Sequence, residues 1–101
     1  MKFVPKYGND TLFNTLRSVR DLVRRRWMKG DFSDGHGRYC LLGALDKVDG
    51  KLRFGTVKRV SIEIKKQGFR NITEFNDAQS TRKRDVLKVI NAVIRTVKGG
   101  K

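Results

Sequence analysis

Apolar residues recur along the first third of the chain at helical spacing: Leu12, Leu16, Val19, Val23 and Trp27 follow one another at steps of four and three. Such steps keep side chains on one face of an α-helix, so this stretch predicts an amphipathic helix, capped at Asn9, Asp10 or Thr11 and closing near Gly30. The last third repeats the pattern. Val86, Ile90, Val93 and Val97 form one stripe, widened by Leu87 and Ile94, behind a predicted cap at Ser80 or Thr81. Between these two helices the composition of Asp31 to Gly37, with two Gly, two Asp and a Ser, predicts a loop. Tyr39-Cys40-Leu41-Leu42-Gly43-Ala44-Leu45 is nearly all apolar and predicts a short buried helix, with Gly43 permitting close contact and Asp49-Gly50 turning the chain away.

Phe54 to Gly68 supports two readings. Val57, Val60 and Ile64 fit a helix face, whereas Val60, Ile62 and Ile64, alternating with Ser61, Glu63 and Lys65, fit a strand equally well. Gly68, as a helix terminator, tips the balance to helix. Asn71 and Glu74 have the spacing of a capping box around one further turn. The expectation is a mainly α protein, a compact bundle of about four to five helices with a possible short β element around residues 52–65. At 101 residues the chain has the length for one core, hence a single domain over 1–101, with residues 1–9 and 99–101 expected to be flexible ends.

Charge changes the picture. Lys plus Arg number 24 against 10 Asp plus Glu, a net +14. Self-repulsion of that size is unfavourable in a compact domain, and solubility is served by a net charge of roughly 2 to 8, so an acidic partner is implied. The charge is also segregated. Thr11 to Lys29 holds six basic residues against one acidic, Lys51 to Arg70 seven against one, and Ser80 to Lys101 seven against one, while Gly30 to Gly50 reverses to two against four. Cations at a helix C-terminus, such as Arg24, Arg25, Arg26 and Lys29, are favoured by the macrodipole and need no partner. Arg82, Lys83 and Arg84 fall at the predicted start of the last helix, where cations oppose the dipole by a few tenths of a kcal/mol each. A phosphate or acidic side chain there would meet exposed amides and three cations together; Asp85 offers internal relief instead.

Catalytic and metal chemistry finds little footing. Asp31, Asp34, His36 and Cys40 lie close in sequence, but structural zinc takes four Cys or His ligands and the chain has one of each. Cys40 as a nucleophile would depend on His36 as its base; within an apolar run it reads as a small core residue. Asn76-Asp77, between Phe75 and the last helix, reads as a turn and cap. No phosphate-binding Gly loop, paired carboxylates or Ser-His-Asp set is present, so no enzyme activity, small-molecule substrate or cofactor is expected. A single cysteine excludes an intrachain disulfide and favours a reducing compartment. With neither a secretory signal after Met1 nor an apolar run of membrane-spanning length, a cytoplasmic location without membrane contact is expected.

Trp27-x-x-Gly30, then Gly37-Arg38-x-Cys40-x-x-Gly43-Ala44-Leu45, and later Ile72-x-x-Phe75-Asn76-Asp77 before a closing helix with Thr81 and Val86, resemble a small bacterial and phage family of unknown function. Its pieces run Trp-x-x-Gly, Cys-x-x-Gly-Ala-Leu and Trp-Asn-Asp; position 75 here is Phe. The resemblance spans roughly residues 12 to 95. It implies a compact helical bundle, with Phe54 to Gly68 as helix, in a bacterial cell, and it brings no established activity to transfer.

Two functions are expected from the charge. The first is nucleic-acid binding, DNA or RNA, by neutralising backbone phosphates with Arg17, Arg20, Arg24, Lys58, Arg59, Lys65, Lys66, Arg82, Lys83 and Arg84, without strong sequence specificity. Phe13, Trp27 and Phe75 read as core residues, which argues against base stacking as the main mode. The alternative is a phage or mobile-element inhibitor that covers an acidic surface or nucleic-acid channel of a host polymerase, ribosome or defence nuclease. Complementary charge would steer either encounter.

Overall fold

Helical periodicity is realised in five elements of a computed structural model, which describes residues 9–30, 33–49 and 55–100. They are α1 (Asn9–Arg26), α2 (Leu41–Asp49), α3 (Thr56–Lys66), α4 (Ile72–Asp77) and α5 (Lys83–Gly100). The protein is a mainly α bundle. Long α5 lies against α1 along one flank and against α3 along the other, while α2 and α4 pack together beneath them. Leu12, Leu16, Val19 and Val23 of α1 meet Val86, Ile90, Val93 and Val97 of α5 in one buried core, completed by Leu41, Leu45, Val60, Ile64, Ile72 and Phe75.

The ambiguous stretch is a helix from Thr56 onward, and burial shows why. Thr56, Val60 and Ile64 are buried on one face, while Ile62 is 50% exposed. A strand would have put Ile62 on the same face as its two neighbours, so helical spacing is the arrangement that fits the core. The expected β element is therefore overturned over 56–65; its first residues, 52–54, lie outside the described ones. Gly68 terminates α3 as its sequence implied. Its φ of 97° is the left-handed conformation that glycine adopts without steric cost, and the Gly68 and Phe69 amides donate to the carbonyls of Lys65 and Ile64, a Schellman closure.

Both ends of α1 and both ends of α5 differ from expectation. At the start of α1, Asn9 is already helical, so Asp10 and Thr11 stand in the first turn and not at the cap. At its end, α1 stops at Arg26 rather than near Gly30, because residue 39 takes over the next backbone groups: the Tyr39 amide donates to the Arg26 carbonyl and the Met28 amide donates to the Tyr39 carbonyl. Trp27 and Tyr39 thus form an isolated parallel bridge, one of two such bridges among the described residues. At α5, neither Ser80 nor Thr81 is the cap. Thr81 is buried, and Arg82 occupies the cap position: its carbonyl accepts from Val86, and its amide donates to the Asp85 carboxylate at 2.9 Å. At the other end α5 continues through Gly99 and Gly100, where an irregular end was expected.

Candidate functional site

The most constrained polar group in the bundle is Asn76, at the end of α4 and 1% exposed. A carboxamide has two acceptor positions and two donors, and a buried one is costly unless they are matched. All four are used. Its Oδ1 accepts from the Trp27 indole Nε1 at 2.6 Å and from the Leu41 amide at 2.9 Å, and its Nδ2 donates to the Met28 carbonyl at 3.2 Å and to Asp77 Oδ1 at 3.0 Å. The same Asp77 oxygen accepts from the Gly30 amide at 2.9 Å, and Lys29 Nζ donates to the Ala78 carbonyl at 2.6 Å. Asn76-Asp77 is therefore not a turn and cap between helices. It is a hub that ties the exit of α1 and the first amide of α2 to α4.

Cys40 belongs to the same construction. It is buried, stands immediately before α2, and its Sγ accepts from the Gly43 amide at 3.3 Å; its carbonyl accepts from Ala44. The thiol caps a helix inside the core. Asp34, in the loop before it, accepts from the Arg38 side chain and from the His36 and Arg38 amides, which hold its carboxyl well below the ordinary range. Among the described residues, no group of three or more His, Cys, Asp or Glu is placed to hold a metal.

The basic residues fall into two sets. On α1 and α5, Arg20 Nη1 donates to Asn91 Oδ1 at 3.0 Å, and Phe13, Arg17, Arg20, Asn91, Ile94 and Arg95 line one open groove between the helices. Lys83 continues this seam toward the end of α1, where its Nζ donates to the Arg24 carbonyl at 2.8 Å. That carbonyl lost its helical partner when Met28 turned to Tyr39, and a cation suits the negative end of α1. Lys83 is thus satisfied inside the protein, and Asp85 closes the amide of Arg82. The crowding of cations at the start of α5 does not need an outside anion to explain it. Arg84 faces outward, and by helical spacing shares a ridge with Lys88, Asn91 and Arg95.

The second set lies on α3. Lys58, Arg59, Lys65 and Lys66 are all exposed and stand at i−4, i−3, i+3 and i+4 from Ile62, which they surround. Arg59, Ile62, Glu63 and Lys66 line a cleft of about 80 Å³ with Val93 and Thr96 of α5, large enough for one side chain. The ten candidate cations thus form two groups on opposite flanks of α5. Neutralisation from within is slight: Arg24 pairs with Asp21 at 3.4 Å and Lys66 with Glu63 at 3.8 Å, both on the surface, where such pairs contribute little. Among the described residues, the side chains of Arg17, Lys58, Arg59, Lys65, Arg82 and Arg84 have no carboxylate within 4.0 Å. Sequence reasoning missed Arg95 and Asn91, although the step of four between them was a usable sign. It also placed Phe13 in the core, whereas the ring is half-buried and forms part of the groove wall.

A small α-helical protein, with a buried amide hub and two basic faces, is the class these features define. Residues 9–96 match a protein family of unknown function (DUF6197), and the chain belongs to that family. No curated protein and no solved structure matches it. The short motifs through which the sequence resembles its family, Trp27-x-x-Gly30, Cys40-x-x-Gly43-Ala44-Leu45 and Asn76-Asp77, are the ones that meet at the hub. No helix among the described residues is long and apolar enough to cross a membrane.

Two predictions test the hub. Asn76→Ala strands the Trp27 indole and the Leu41 amide without partners, and the expected loss is about 3 kcal/mol of unfolding free energy in urea melts; a loss no larger than that of an average surface substitution would contradict the assignment. Beside Asp34, Asp77 contributes to the pH dependence. Hydrogen bonds from Asn76 and Gly30, aided by the Lys29 charge, hold its carboxyl below the ordinary value. Its stabilisation is therefore complete above about pH 4 and lost as pH falls below that, through the depressed value. In Asp77→Asn, melts between about pH 4 and pH 2 are expected to fall less steeply than in the wild type.

Proposed function

We propose that this protein binds nucleic acid through the phosphate backbone, as a binding protein and not an enzyme, in the cytoplasm of a bacterial cell. The single observation that carries the reading is the α1–α5 face. Arg17, Arg20, Arg24, Lys83, Arg84 and Arg95 run along the seam and its outer ridge, and among the described residues Asp21 is the one carboxylate seen paired there. Cations on two antiparallel helices can meet successive phosphates, and the release of condensed counterions drives such binding without reading sequence. A lone, buried Cys40 suits a cytoplasmic protein.

One observation favours a second reading. Ile62, the large apolar side chain left most exposed among the described residues, sits in the middle of the four α3 cations. An apolar anchor ringed by positive charge suits an acidic protein surface better than a phosphate backbone, as an inhibitor of a host or phage machine would require.

A salt titration against random duplex DNA, single-stranded DNA and RNA tests the first reading. Micromolar binding is expected, with log affinity falling linearly in log salt, and Arg17→Ala/Arg84→Ala/Arg95→Ala should reduce the slope by about 2 to 3 without lowering the melting temperature. Absence of binding to all three near physiological salt would sink this reading and leave the α3 surface as the face to pursue.

A further inference from the structure

The groove between α1 and α5 is more than a row of cations. Its lining pairs three arginines with a phenyl ring, an isoleucine and a carboxamide. Backbone phosphates need only the arginines. The apolar part of the wall, Phe13 with Ile94, has nothing to offer a phosphate, yet it is where a flat apolar group would gain most from leaving water.

Three details make this wall suitable for a nucleobase. The Arg17 guanidinium lies over the Phe13 ring, 5.5 Å from its centroid, and Arg17 is exposed, so ring and guanidinium form one stack that a base can extend from its outer face. Arg20 is fixed: its Nη1 is held by Asn91 Oδ1, and its Nε is buried without a hydrogen-bond partner. A guanidinium already immobilised loses little further freedom when a ligand arrives. Asn91, finally, spends its oxygen on Arg20, and among the described residues its amide nitrogen has no partner, which leaves two donors for the oxygen or ring nitrogen of a base edge. The space, about 640 Å³, admits a nucleotide.

The geometry points to a single strand as the nucleic acid this face takes, with one unstacked base held against Phe13 and Arg17, its edge toward Asn91, and an adjacent phosphate on Arg95. This rests on the nucleic-acid reading above and narrows it. A duplex keeps its bases stacked on one another and could use the arginines but not the ring.

Fluorescence anisotropy with labelled oligo(dT) and with a labelled duplex of equal length tests it on the full chain. The wild type is expected to prefer oligo(dT). Phe13→Leu should weaken oligo(dT) binding roughly ten-fold while leaving duplex binding unchanged. Phe13→Tyr, which keeps a ring at the same place, should restore it and separates loss of stacking from loss of fold. Phe13→Trp should bind oligo(dT) with fluorescence quenching beyond that of the wild type, whose Trp27 is engaged at the hub. Duplex binding equal to single-strand binding, with all three Phe13 variants silent, overturns the single-strand inference and leaves the backbone reading standing; no binding of either form overturns both.

Discussion

A buried carboxamide has to find partners for two lone pairs and two N–H groups, and at Asn76 three of the four, on Trp27, Met28 and Leu41, come from segments far away in the chain, the fourth being the neighbouring Asp77. The constraint organises the bundle. Trp27 leaves the helical path at the end of α1 and bridges to Tyr39; that bridge delivers Leu41 to the start of α2 with its first amide pointing at Asn76 Oδ1. Asn76 is itself buried, so a broken bond strands a polar group at a cost of about 1–3 kcal/mol. Apolar burial supplies the driving force for collapse, but it is indifferent to which helix enters first or where a helix stops. The amide network decides both.

With the exit of α1 fixed in this way, the Arg24 carbonyl is left without a helical donor, and Lys83 reaches across to fill it. The end of α1 and the start of α5 are thereby held side by side, which sets the register of the whole seam: Arg20 opposite Asn91, and Phe13 and Arg17 opposite Ile94 and Arg95. The basic face that supports the proposed function is a consequence of the hub, though no hub residue lies on it. Trp27, Cys40 and Asn76-Asp77 serve the architecture of this chain, and the two basic faces lie apart from them.

Much of the fold was legible in the sequence because its signals are local. The stripes of α1 and α5, the Gly68 terminator and the Asn71–Glu74 cap all depend on residues within a turn or two of one another, and each is found where expected; in the cap, the Glu74 amide donates to Asn71 Oδ1 at 2.8 Å while the Glu74 carboxylate turns back to the Arg70 amide. What was not legible is long-range. Asn76 and its partners on Leu41, Met28 and Trp27 are 35 to 49 residues apart, so an Asn-Asp pair before a helix read as a turn. The start of α5 misled for a different reason: Thr81 is a good capping residue, but its side chain is claimed by the core, and Asp85 closes the helix from within. Periodicity could group the arginines on each helix, but only the pairing of α1 with α5 on one side and α3 on the other could show that the ten cations divide into two faces.

Native-state hydrogen exchange at the Trp27 indole and the Leu41 amide tests the central claim most directly, because both protons are held by one oxygen of Asn76. If that amide organises the bundle, the two should exchange together and only with global unfolding, as slowly as the core amides of α5. Exchange of the indole at the rate of an exposed side chain, with Leu41 still protected, would contradict the account.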